Sequence, residues 1–446
     1  MKLHTFSIGG VHPDGNKLSS ASAIQMAPLP KQAVILLSQH IGAPTQCVVG
    51  RGQVVRVGQL LGQSQGFVSA NIHSSVSGKV AKIADAVDAS GYARPAVYID
   101  VEGDEWDESI DRSETIVREI TMDAPQIISR IASHGIVGLG GACFPTHVKL
   151  SPPKDNVCDC VIINGAECEP YLTADHRLMV EKPEQILVGI RILMTAMNAP
   201  KAFIGIEDNK KDAIEAFLGY KKDYPEISVV PLKARYPQGG EKQLIQAITN
   251  RYVASGALPI STGALVQNVA TAFAVYEAVQ KNKPLVERVV TVTGKSLASP
   301  KNFLCRIGTE ISTLIDACGG LPQDTGKIIS GGVMMGKALV GGQVPTSKGT
   351  SGITILRMAD AKRKKEQPCI RCAKCVSACP MGLEPYLLSQ LSRMGLYERM
   401  EKESAMDCIA CGACQFTCPA NRPLLDYITL GKNRLGAIIR ARKQSK

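Results

Sequence analysis

The sequence has few aromatic residues and no long apolar segment. Phe, Trp and Tyr together make up 4% of its 446 residues, and only one residue is Trp. No apolar run approaches the roughly 20 residues that a membrane-spanning helix requires. The amino-terminal residues Met1 to His4 lead directly into polar sequence, without the apolar stretch of a secretory signal peptide. We therefore expect no transmembrane helix, and only peripheral contact with any membrane.

Acidic residues are absent from the last part of the chain. None follows Asp426, whereas this stretch contains the basic residues Lys432, Arg434, Arg440, Arg442, Lys443 and Lys446. A second basic run lies at 362–365, and the net charge is +11. A basic end predicts an anionic partner, which is a lipid surface, an acidic protein or a nucleic acid. Nucleic acid is the least favoured of these, because no nucleic-acid-reading module is visible, and we predict none.

Cysteine, in contrast, is abundant, with 15 residues. Residues 369–380 and 408–419 share the spacing C-x2-C-x2-C-x3-C-P. This spacing holds 4Fe–4S clusters in two-cluster ferredoxins, where the fourth Cys of each run binds the other cluster. It predicts one cluster on Cys369, Cys372, Cys375 and Cys418, and another on Cys408, Cys411, Cys414 and Cys379. Structural zinc is disfavoured, because zinc sites use pairs of cysteines rather than two runs of four.

The remaining cysteines carry no such pattern. They are Cys47, Cys143, Cys158, Cys160, Cys168, Cys305 and Cys318. The length of the chain and the clustering of the other cysteines argue against a secreted disulfide-bonded protein. We interpret these residues as small buried hydrophobes or free thiols in a reducing compartment.

The length predicts about three domains, and the patterns along the chain change accordingly. Residues 1–110 are rich in short alternating segments between glycines, such as Gly52–Gly62 and Ile72–Val80. Such segments predict a small β-sandwich or barrel, and their arrangement resembles the lipoyl-like barrel-sandwich hybrid. Lys79 follows a glycine, but we interpret it as an ordinary exposed residue and predict no lipoyl group.

Residues 111–285 alternate between strand and helix patterns. Cys160–Asn164, Ala202–Ile206 and Ile227–Val230 are predicted strands, and the helical patterns lie at Pro183–Met197, Asp212–Leu218 and Glu241–Ile248. This alternation predicts a Rossmann-like α/β domain with a mainly parallel sheet.

Two motifs in this domain point to ligand binding. The first is the glycine-rich segment Gly138–Thr146, with Lys149 shortly after it. Glycines allow backbone N–H groups to approach a phosphate, and a lysine adds positive charge. The second motif, Asn164–Pro170, follows a predicted buried strand. Ligands of α/β sheets bind at the carboxyl ends of the parallel strands. A packed turn and ordinary surface carboxylates are the alternative interpretations of these two motifs.

Together these motifs resemble the FMN-carrying NADH subunit of respiratory complex I. That family has a GRGGAGFPTGxKW loop and an NADExEPG strand end, which correspond to GLGGACFPTHVKL and INGAECEP here. Tyr236–Glu241 resembles its YxxGEE stretch, and Asn268–Thr271 resembles its NVET. Leu139, Ala166 and Gly240 stand where that family has Arg, Asp and Glu. Residues 286–345 resemble the β-grasp-like SLBB module that follows in the same family.

Over nearly its whole length the chain resembles the C subunits of Rnf ion-translocating oxidoreductase complexes. FSIGGVHP at residues 6–13, GLGGACFPT, NGAECEP, YPQGGEKQL and the paired cluster motifs occur in that family in this order. The resemblance implies that Gly138, Gly140, Gly141 and Lys149 surround an FMN phosphate, and that Asn164, Glu167, Tyr236 and Asn268 line the flavin. It implies further that Glu169 and Phe144 contact NADH, and that Glu241 lies near the nicotinamide end.

The last part of the chain is predicted to hold the clusters. We expect residues 321–368 to be a loop returning to the cluster module, with 346–368 as a basic linker and with Met334 and Met335 in the core. A helical two-cluster ferredoxin domain is predicted for 369–430, because Pro385–Met400 has a helical apolar rhythm. Residues 431–446 are predicted to be a basic tail. The fold class is therefore multidomain α/β.

The function implied by the resemblance is that of an enzyme subunit. It is the NADH-reactive part of a ferredoxin:NAD+ oxidoreductase, which passes electrons between NAD(H), FMN and two 4Fe–4S clusters. Cofactors carry the hard chemistry, so no catalytic general acid, base or nucleophile is predicted. The partners would be other subunits of a membrane-embedded complex, at the cytoplasmic face of the cell membrane. The alternatives are a soluble flavin and iron–sulfur corrinoid reductase, and a non-catalytic iron–sulfur electron relay.

Overall fold

Two small sheets form a sandwich in the first part of the molecule. The computed structural model describes residues 2–153 and 155–444. The strands before residue 110 are β1 (Ile24–Met26), β2 (Gln32–Leu36), β3 (Gln46–Cys47), β4 (Val54–Val55), β5 (Leu60–Gln63), β6 (Ile72–His73), β7 (Gly78–Val87) and β8 (Ala93–Val101). One sheet has the order β2-β8-β7-β4 and the other β3-β5-β6. Ile35, Leu61 and Val97 pack between them, because alternate residues of each strand face the other sheet.

A parallel sheet with helices on its faces forms the second part, as predicted. Its elements are α1 (Ala124–Ser133), α2 (Thr146–Lys149), β9 (Cys160–Gly165), α3 (Ala174–Glu181), α4 (Pro183–Met197), β10 (Ala202–Glu207), α5 (Lys211–Leu218), β11 (Ile227–Leu232), α6 (Glu241–Thr249), β12 (Ala264–Asn268) and α7 (Val269–Gln280). The strand order is β11-β10-β9-β12, and all pairs are parallel. Gly189 lets α4 approach α7, since a Cβ there would lie 1.9 Å from the Ala272 carbonyl oxygen.

A six-stranded sheet follows, and it corrects one prediction. Its elements are β13 (Glu287–Thr293), β14 (Lys301–Arg306), α8 (Ile311–Asp316), β15 (Thr325–Ser330), β16 (Lys337–Ala338) and β17 (Gly352–Arg357), in the order β1-β14-β13-β17-β15-β16. The predicted loop at 321–368 therefore contains three strands. β17 falls inside the predicted linker 346–368, because Ile353 and Ile355 are buried between the neighbouring strands.

The cluster motifs lie in a helical module, as predicted. The short helix α9 (Met358–Ala361) follows β17 and packs against Gly326 of β15, so it belongs to the preceding sheet. The helices of the cluster module are α10 (Lys374–Ser377), α11 (Pro385–Arg393), α12 (Tyr397–Lys402), α13 (Ala413–Phe416) and α14 (Leu424–Gln444). The predicted tail at 431–446 is not separate from this module, because α14 continues through it to Gln444. Leu435 is completely buried, and Gly431 packs against Met400. Lys446, predicted as part of the tail, lies outside the described residues, as does Met1.

The segment before β2 leaves the sandwich and crosses the other modules. His4 forms a bridge with Leu232, Val11 forms one with Tyr236, and β1 pairs in parallel with β14. Residues 1–110 are thus not all part of the sandwich, because the residues up to the end of β1 pack elsewhere. Among the helices of the described residues, none combines the length and apolar character needed to span a bilayer.

Candidate functional site

The glycine-rich segment forms a tight loop that lies on the start of α7. The N–H of Leu139 donates to the Thr271 hydroxyl over 2.9 Å. A Cβ at Gly140 would lie 2.8 Å from the Cβ of Asn268, so only glycine allows this contact. The loop 138–144 therefore brings its backbone to the carboxyl edge of the parallel sheet, because β12 ends at Asn268.

A buried guanidinium supports this loop from β13. Arg288 is 5% exposed and donates to the carbonyl oxygens of Leu139 and Lys348. Leu139 itself packs into the core of the α/β domain. The complex I loop has an Arg at the position of Leu139. In this chain that position is apolar, and Arg288 from β13 instead donates to the Leu139 carbonyl.

The end of β9 is held by side chains and backbone groups from other elements. The Asn164 amide nitrogen donates to the Gly239 carbonyl over 2.9 Å. The Glu167 carboxylate accepts the N–H groups of Asp175 and His176 at the start of α3, over 2.8 and 3.1 Å. Glu167 is therefore fixed by the backbone of α3, and one of its carboxylate oxygens is engaged with each N–H.

Asp175 and the buried Asn268 form a polar pair beside this strand end. The Asn268 side-chain oxygen accepts the N–H of Ala270 and caps α7, and its amide nitrogen donates to Asp175 over 2.7 Å. Burial raises the pKa of Asp175, and the neighbouring Glu167 carboxylate raises it further. Asp175 is therefore protonated more readily than an exposed aspartate.

Glu169 is bound by the loop between β15 and β16. Its carboxylate accepts the N–H groups of Met334 and Met335, over 3.1 and 2.8 Å. Burial raises the pKa of Glu169 to about 7, although these two N–H groups oppose the shift. The prediction that the two methionines lie in the core is wrong for Met335, which is 54% exposed and lies at the site because its backbone binds Glu169.

Lys149 and Glu241 form an ion pair at the site. The Lys149 ammonium lies 2.7 Å from the Glu241 carboxylate and donates to the Val266 carbonyl over 2.7 Å. The resemblance implies that Lys149 lies beside the flavin phosphate and Glu241 near the nicotinamide. In this structure the two side chains contact each other, so both predicted positions lie in the same part of the site.

These elements enclose a cavity of about 570 Å³. All eleven residues that were predicted to bind FMN or NADH line it: Gly138, Gly140, Gly141, Phe144, Lys149, Asn164, Glu167, Glu169, Tyr236, Glu241 and Asn268. Its volume lies in the range of cofactor sites. Its other lining residues include Cys168, Asp175 and Met335, which were not predicted as site residues.

The far wall of the cavity belongs to the helical module. Cys411 and Ile409 line it, and the Tyr236 hydroxyl donates to the Cys411 carbonyl over 2.7 Å. Burial raises the pKa of Tyr236 well above its usual range, so the hydroxyl remains a donor. The cavity and the second cysteine motif are therefore adjacent.

Four cysteines converge behind this wall, and we call Cys379, Cys408, Cys411 and Cys414 the inner cage. They line a small cavity together with apolar residues such as Leu388 and Ile428. Burial raises the pKa values of Cys408, Cys411 and Cys414, and the nearby Cys379 thiol raises each of them further. These are the four residues that the cross-ligation rule groups together.

The other four cysteines, which we call the outer group, lie closer to solvent. They are Cys369, Cys372, Cys375 and Cys418. Burial raises the pKa of Cys375, and the thiol of Cys418 contributes to the shift. Cys375 and Cys418 are therefore neighbours, although they come from different motifs. Cys369 and Cys372 are exposed.

The large cavity and the inner cage fit the cofactors that the sequence predicts. Among the described residues, no group of three or more His, Cys, Asp or Glu side chains is arranged to hold a single metal ion. The inner-cage thiols instead surround a cavity, as they must when each binds a different iron of one cluster. At Gly141, no described atom lies within 4 Å of where a Cβ would be. Its backbone is therefore open to a ligand in the larger cavity.

Family comparisons match every module. Residues 4–104 match the RnfC barrel sandwich hybrid domain, residues 131–277 the Nuo51 FMN-binding domain, residues 289–338 the SLBB domain and residues 361–419 the 4Fe-4S dicluster domain. The predicted fold class is thereby confirmed. A solved NAD+-reducing [NiFe]-hydrogenase in the air-oxidized state shares the fold over 71% of this chain and 63% of its own, with a TM-score of 0.51 and 18% identity.

Named relatives match almost the full length, and each is the C subunit of an oxidoreductase complex. That of the proton-translocating ferredoxin:NAD(+) oxidoreductase complex of Clostridium ljungdahlii is 47% identical over 94% of this chain and 92% of its own. That of the Na(+)-translocating ferredoxin:NAD(+) oxidoreductase complex of Acetobacterium woodii is 44% identical over 98% of both chains. That of the ion-translocating oxidoreductase complex of Rhodobacter capsulatus is 41% identical over 97% of this chain and 84% of its own.

Proposed function

The chain belongs to the family of C subunits of ion-translocating ferredoxin:NAD+ oxidoreductase complexes, and on that premise we propose that it is the subunit that reacts with NADH. It binds FMN in the large cavity and one 4Fe–4S cluster in each group of four cysteines. A bound flavin exchanges electron pairs with nicotinamide and single electrons with iron–sulfur clusters.

One observation carries this proposal, which is the wall shared by the cavity and the inner cage. Cys411 and Ile409 line both cavities. The inner cage is therefore the cluster site beside the flavin, and the outer group, with its exposed cysteines, is the exit toward a partner. The Tyr236 hydroxyl bond to the Cys411 carbonyl fixes the wall between them.

The cavity residues bind and orient the cofactors, and we assign none of them the role of catalytic acid, base or nucleophile. Gly138, Gly140, Gly141 and Lys149 form the phosphate side of the proposed flavin site. Asn164, Glu167, Tyr236 and Asn268 line the ring. Glu169 and Phe144 contact NADH, and Glu241 holds the Lys149 ammonium in place. Their shared role is to exclude water and to align the nicotinamide with the flavin.

The partners are the other subunits of a membrane-embedded complex, and the chain binds at the cytoplasmic face of the membrane without spanning it. The match to the named relatives over nearly the full length supports this assignment. The basic residues near the end of α14 support docking to an anionic surface. The names of the relatives differ in the ion that is moved, and we propose no particular ion for this chain.

Anaerobic purification followed by flavin extraction and iron and sulfide analysis tests the proposal. We expect about one FMN and two 4Fe–4S clusters per chain, and NADH-driven reduction of an artificial electron acceptor. Full iron content without flavin and without NADH oxidation would instead support the non-catalytic relay. Salt-insensitive solubility without membrane subunits would support the corrinoid reductase, although residues 4–104 match the RnfC sandwich domain and favour the first assignment.

A further inference from the structure

Residues 6–17, which contain the motif FSIGGVHP, line neither the large cavity nor the small cavity of the inner cage. We call this segment the N-terminal strap. It precedes the strands of the sandwich in the sequence but does not pack in the sandwich. It runs along the junction between the proposed flavin cavity and the inner cage. Its contacts involve the backbone of both sites.

The strap touches the inner cage at Gly9. A Cβ on Gly9 would lie 2.4 Å from both the carbonyl carbon and the oxygen of Cys379, and 2.6 Å from the Pro380 nitrogen. Gly9 also has a φ of +73°, a conformation that favours glycine. The adjacent Gly10 N–H donates to the Ala378 carbonyl over 2.9 Å. The strap backbone therefore packs directly on the peptide that carries a cage cysteine.

The flavin domain holds the same peptide through a second contact. The Gln243 side-chain nitrogen, in α6, donates to the Pro380 carbonyl over 3.2 Å. Gln243 is 4% exposed, so this contact is shielded from water. The Cys379–Pro380 peptide is thus clamped between the strap and α6.

The strap is anchored on the flavin side as well. Val11 and Tyr236 exchange backbone hydrogen bonds of 2.8 and 2.9 Å. The Arg235 guanidinium donates to the carbonyl of Phe6 over 2.8 Å and stacks on its ring at 4.3 Å. These anchors are on Tyr236 and the adjacent Arg235, and the Tyr236 hydroxyl also binds the Cys411 carbonyl of the cage.

The last residue of the strap holds the other wall of the cavity. The Lys17 ammonium donates to the carbonyls of Glu167, Glu169 and Leu172, over 2.8, 2.9 and 2.7 Å. Three carbonyls of the loop after β9 thus converge on one side chain. Lys17 therefore anchors the strap to the flavin side of the junction, while Gly9 contacts the cage side.

We propose that the N-terminal strap is a positioning element that fixes the inner cage at a set distance from the flavin cavity. It rests on the proposed function, because it concerns the spacing of the two sites named there. Gly9 is a positioning residue rather than a ligand. Its role is to let the strap backbone approach the Cys379–Pro380 peptide closely.

Gly9→Ala tests this role, and Gly91→Ala is its matched control. Gly91 has a similar φ of +81°, but within the described part of the chain no atom lies within 4 Å of where its Cβ would be. Both variants therefore incur the backbone strain of alanine at positive φ, and only Gly9→Ala collides with the cage peptide. Both are purified anaerobically as full-length holoprotein, and their iron and flavin contents are compared.

Two rates are measured after mixing with NADH, namely flavin bleaching and cluster bleaching. We expect Gly9→Ala to slow cluster bleaching by about tenfold while flavin bleaching stays within about twofold, because relief of the collision displaces the cage by about 1 Å and a misplacement of that size slows reaction between two sites. Gly91→Ala should match the wild type in both rates. Equal cluster bleaching in all three proteins would overturn the proposal. Wild-type protein that shows no flavin bleaching would instead contradict the proposed function.

Hydrogen–deuterium exchange supplies a second readout, which needs no electron transfer. We expect faster exchange at residues 376–383 in Gly9→Ala, and unchanged exchange at 369–373. If Gly9→Ala does not fold, Phe6→Leu replaces it, because this change removes the stacking with Arg235 and keeps an apolar side chain. Unchanged exchange at 376–383 in the folded variant would overturn the proposal.

Discussion

The inner cage and the outer group share one sequence spacing but differ in their surroundings. The inner-cage cysteines Cys379, Cys411 and Cys414 are each less than 10% exposed. They belong to the core of the helical module or to the wall of the large cavity. In the outer group, Cys369 and Cys372 are exposed. Identical motifs thus provide one protected site beside the cavity and one site accessible to a partner.

The difference arises from the elements packed on each motif rather than from the motif itself. The strap and α6 cover the loop after Cys379, and α14 packs over the second motif through Ile428. Cys369 and Cys372, in the loop that precedes the short helix α10, are exposed instead. The reduction potential of an iron–sulfur cluster depends on its exposure to solvent. The clusters at the two sites should therefore differ in reduction potential.

The largest expected effect comes from removing one cysteine of each group. Cys414→Ala and Cys372→Ala should each lose about half of the iron if, as we propose, each group of four cysteines binds one cluster. Cys414→Ala should also lower the apparent melting temperature strongly, since Cys414 packs in the core of the helical module. Cys372→Ala should lower it little.

The measurement is iron and sulfide content together with thermal unfolding of the anaerobic protein. Equal destabilisation by the two variants would show that the two groups do not differ in their structural roles. Loss of all iron from either variant would show that the clusters are not independent.

Filling the large cavity should separate flavin binding from cluster binding. Gly141→Val places a branched side chain where the described structure leaves open space. We expect flavin to bind about tenfold more weakly, in keeping with the cost of overpacking. Iron content should not change.

Gly341→Val is the control, because no described atom lies within 4 Å of its Cβ position and it does not line the cavity. Flavin affinity is measured by titrating flavin-depleted protein. Equal affinities in the two variants would place the flavin elsewhere.

Glu169 predicts a pH dependence of stability that is centred on the cavity. Burial raises its pKa from 4.5 to about 7. Its contribution is therefore fully present below pH 4.5 and is lost as the pH rises through 7, because the folded chain must then hold a buried carboxylate. The loss is about 3 kcal/mol by linkage.

Glu169→Gln should accordingly flatten the fall in apparent melting temperature between about pH 4.5 and 7. Glu114→Gln, at an exposed position, should leave that fall as in the wild type. A wild-type slope that Glu169→Gln does not change would assign the titration to other groups.

The smallest expected effect concerns the end of α14. Deleting 440–446 removes Arg440, Arg442 and Lys443 but retains the buried Leu435. The exposed ion pair of Arg442 with Glu401 contributes about 0.5 kcal/mol or less. We expect full iron content, little change in melting temperature, and weaker binding to membranes that contain the partner subunits.

Deleting 431–446 should instead destabilise the helical module, because it removes Leu435 from its core. Membrane binding is measured by sedimentation at low and high salt. Undiminished binding after deletion of 440–446 would exclude the basic end as a docking element.

Local patterns were sufficient to predict much of the fold. The helix Pro183–Met197 was predicted with its observed bounds, because its apolar face repeats with helical spacing and proline begins it. The strands after 321 were missed. β17 is short, follows a Gly- and Lys-rich stretch, and is stabilised by pairing with β13 and β15, which are distant in sequence. Such pairing leaves little local signal.

The candidate site shows the same limit. The glycine-rich loop and the end of β9 were predicted because each motif is contiguous. Lys17, Asp175 and Arg288 were not predicted. Each reaches the site from another element, and none lies within a recognisable motif. The motif FSIGGVHP ends four residues before Lys17, but it was used only for the family resemblance and gave no role to that lysine.

Electron paramagnetic resonance of the single-cluster variants after mixing with NADH tests the central claim most directly. If the inner cage lies beside the flavin, Cys372→Ala should still give the signal of a reduced cluster at the wild-type rate. Cys414→Ala should bleach its flavin but give no reduced-cluster signal on that timescale. A reduced cluster in Cys414→Ala that forms as fast as in the wild type would contradict the account.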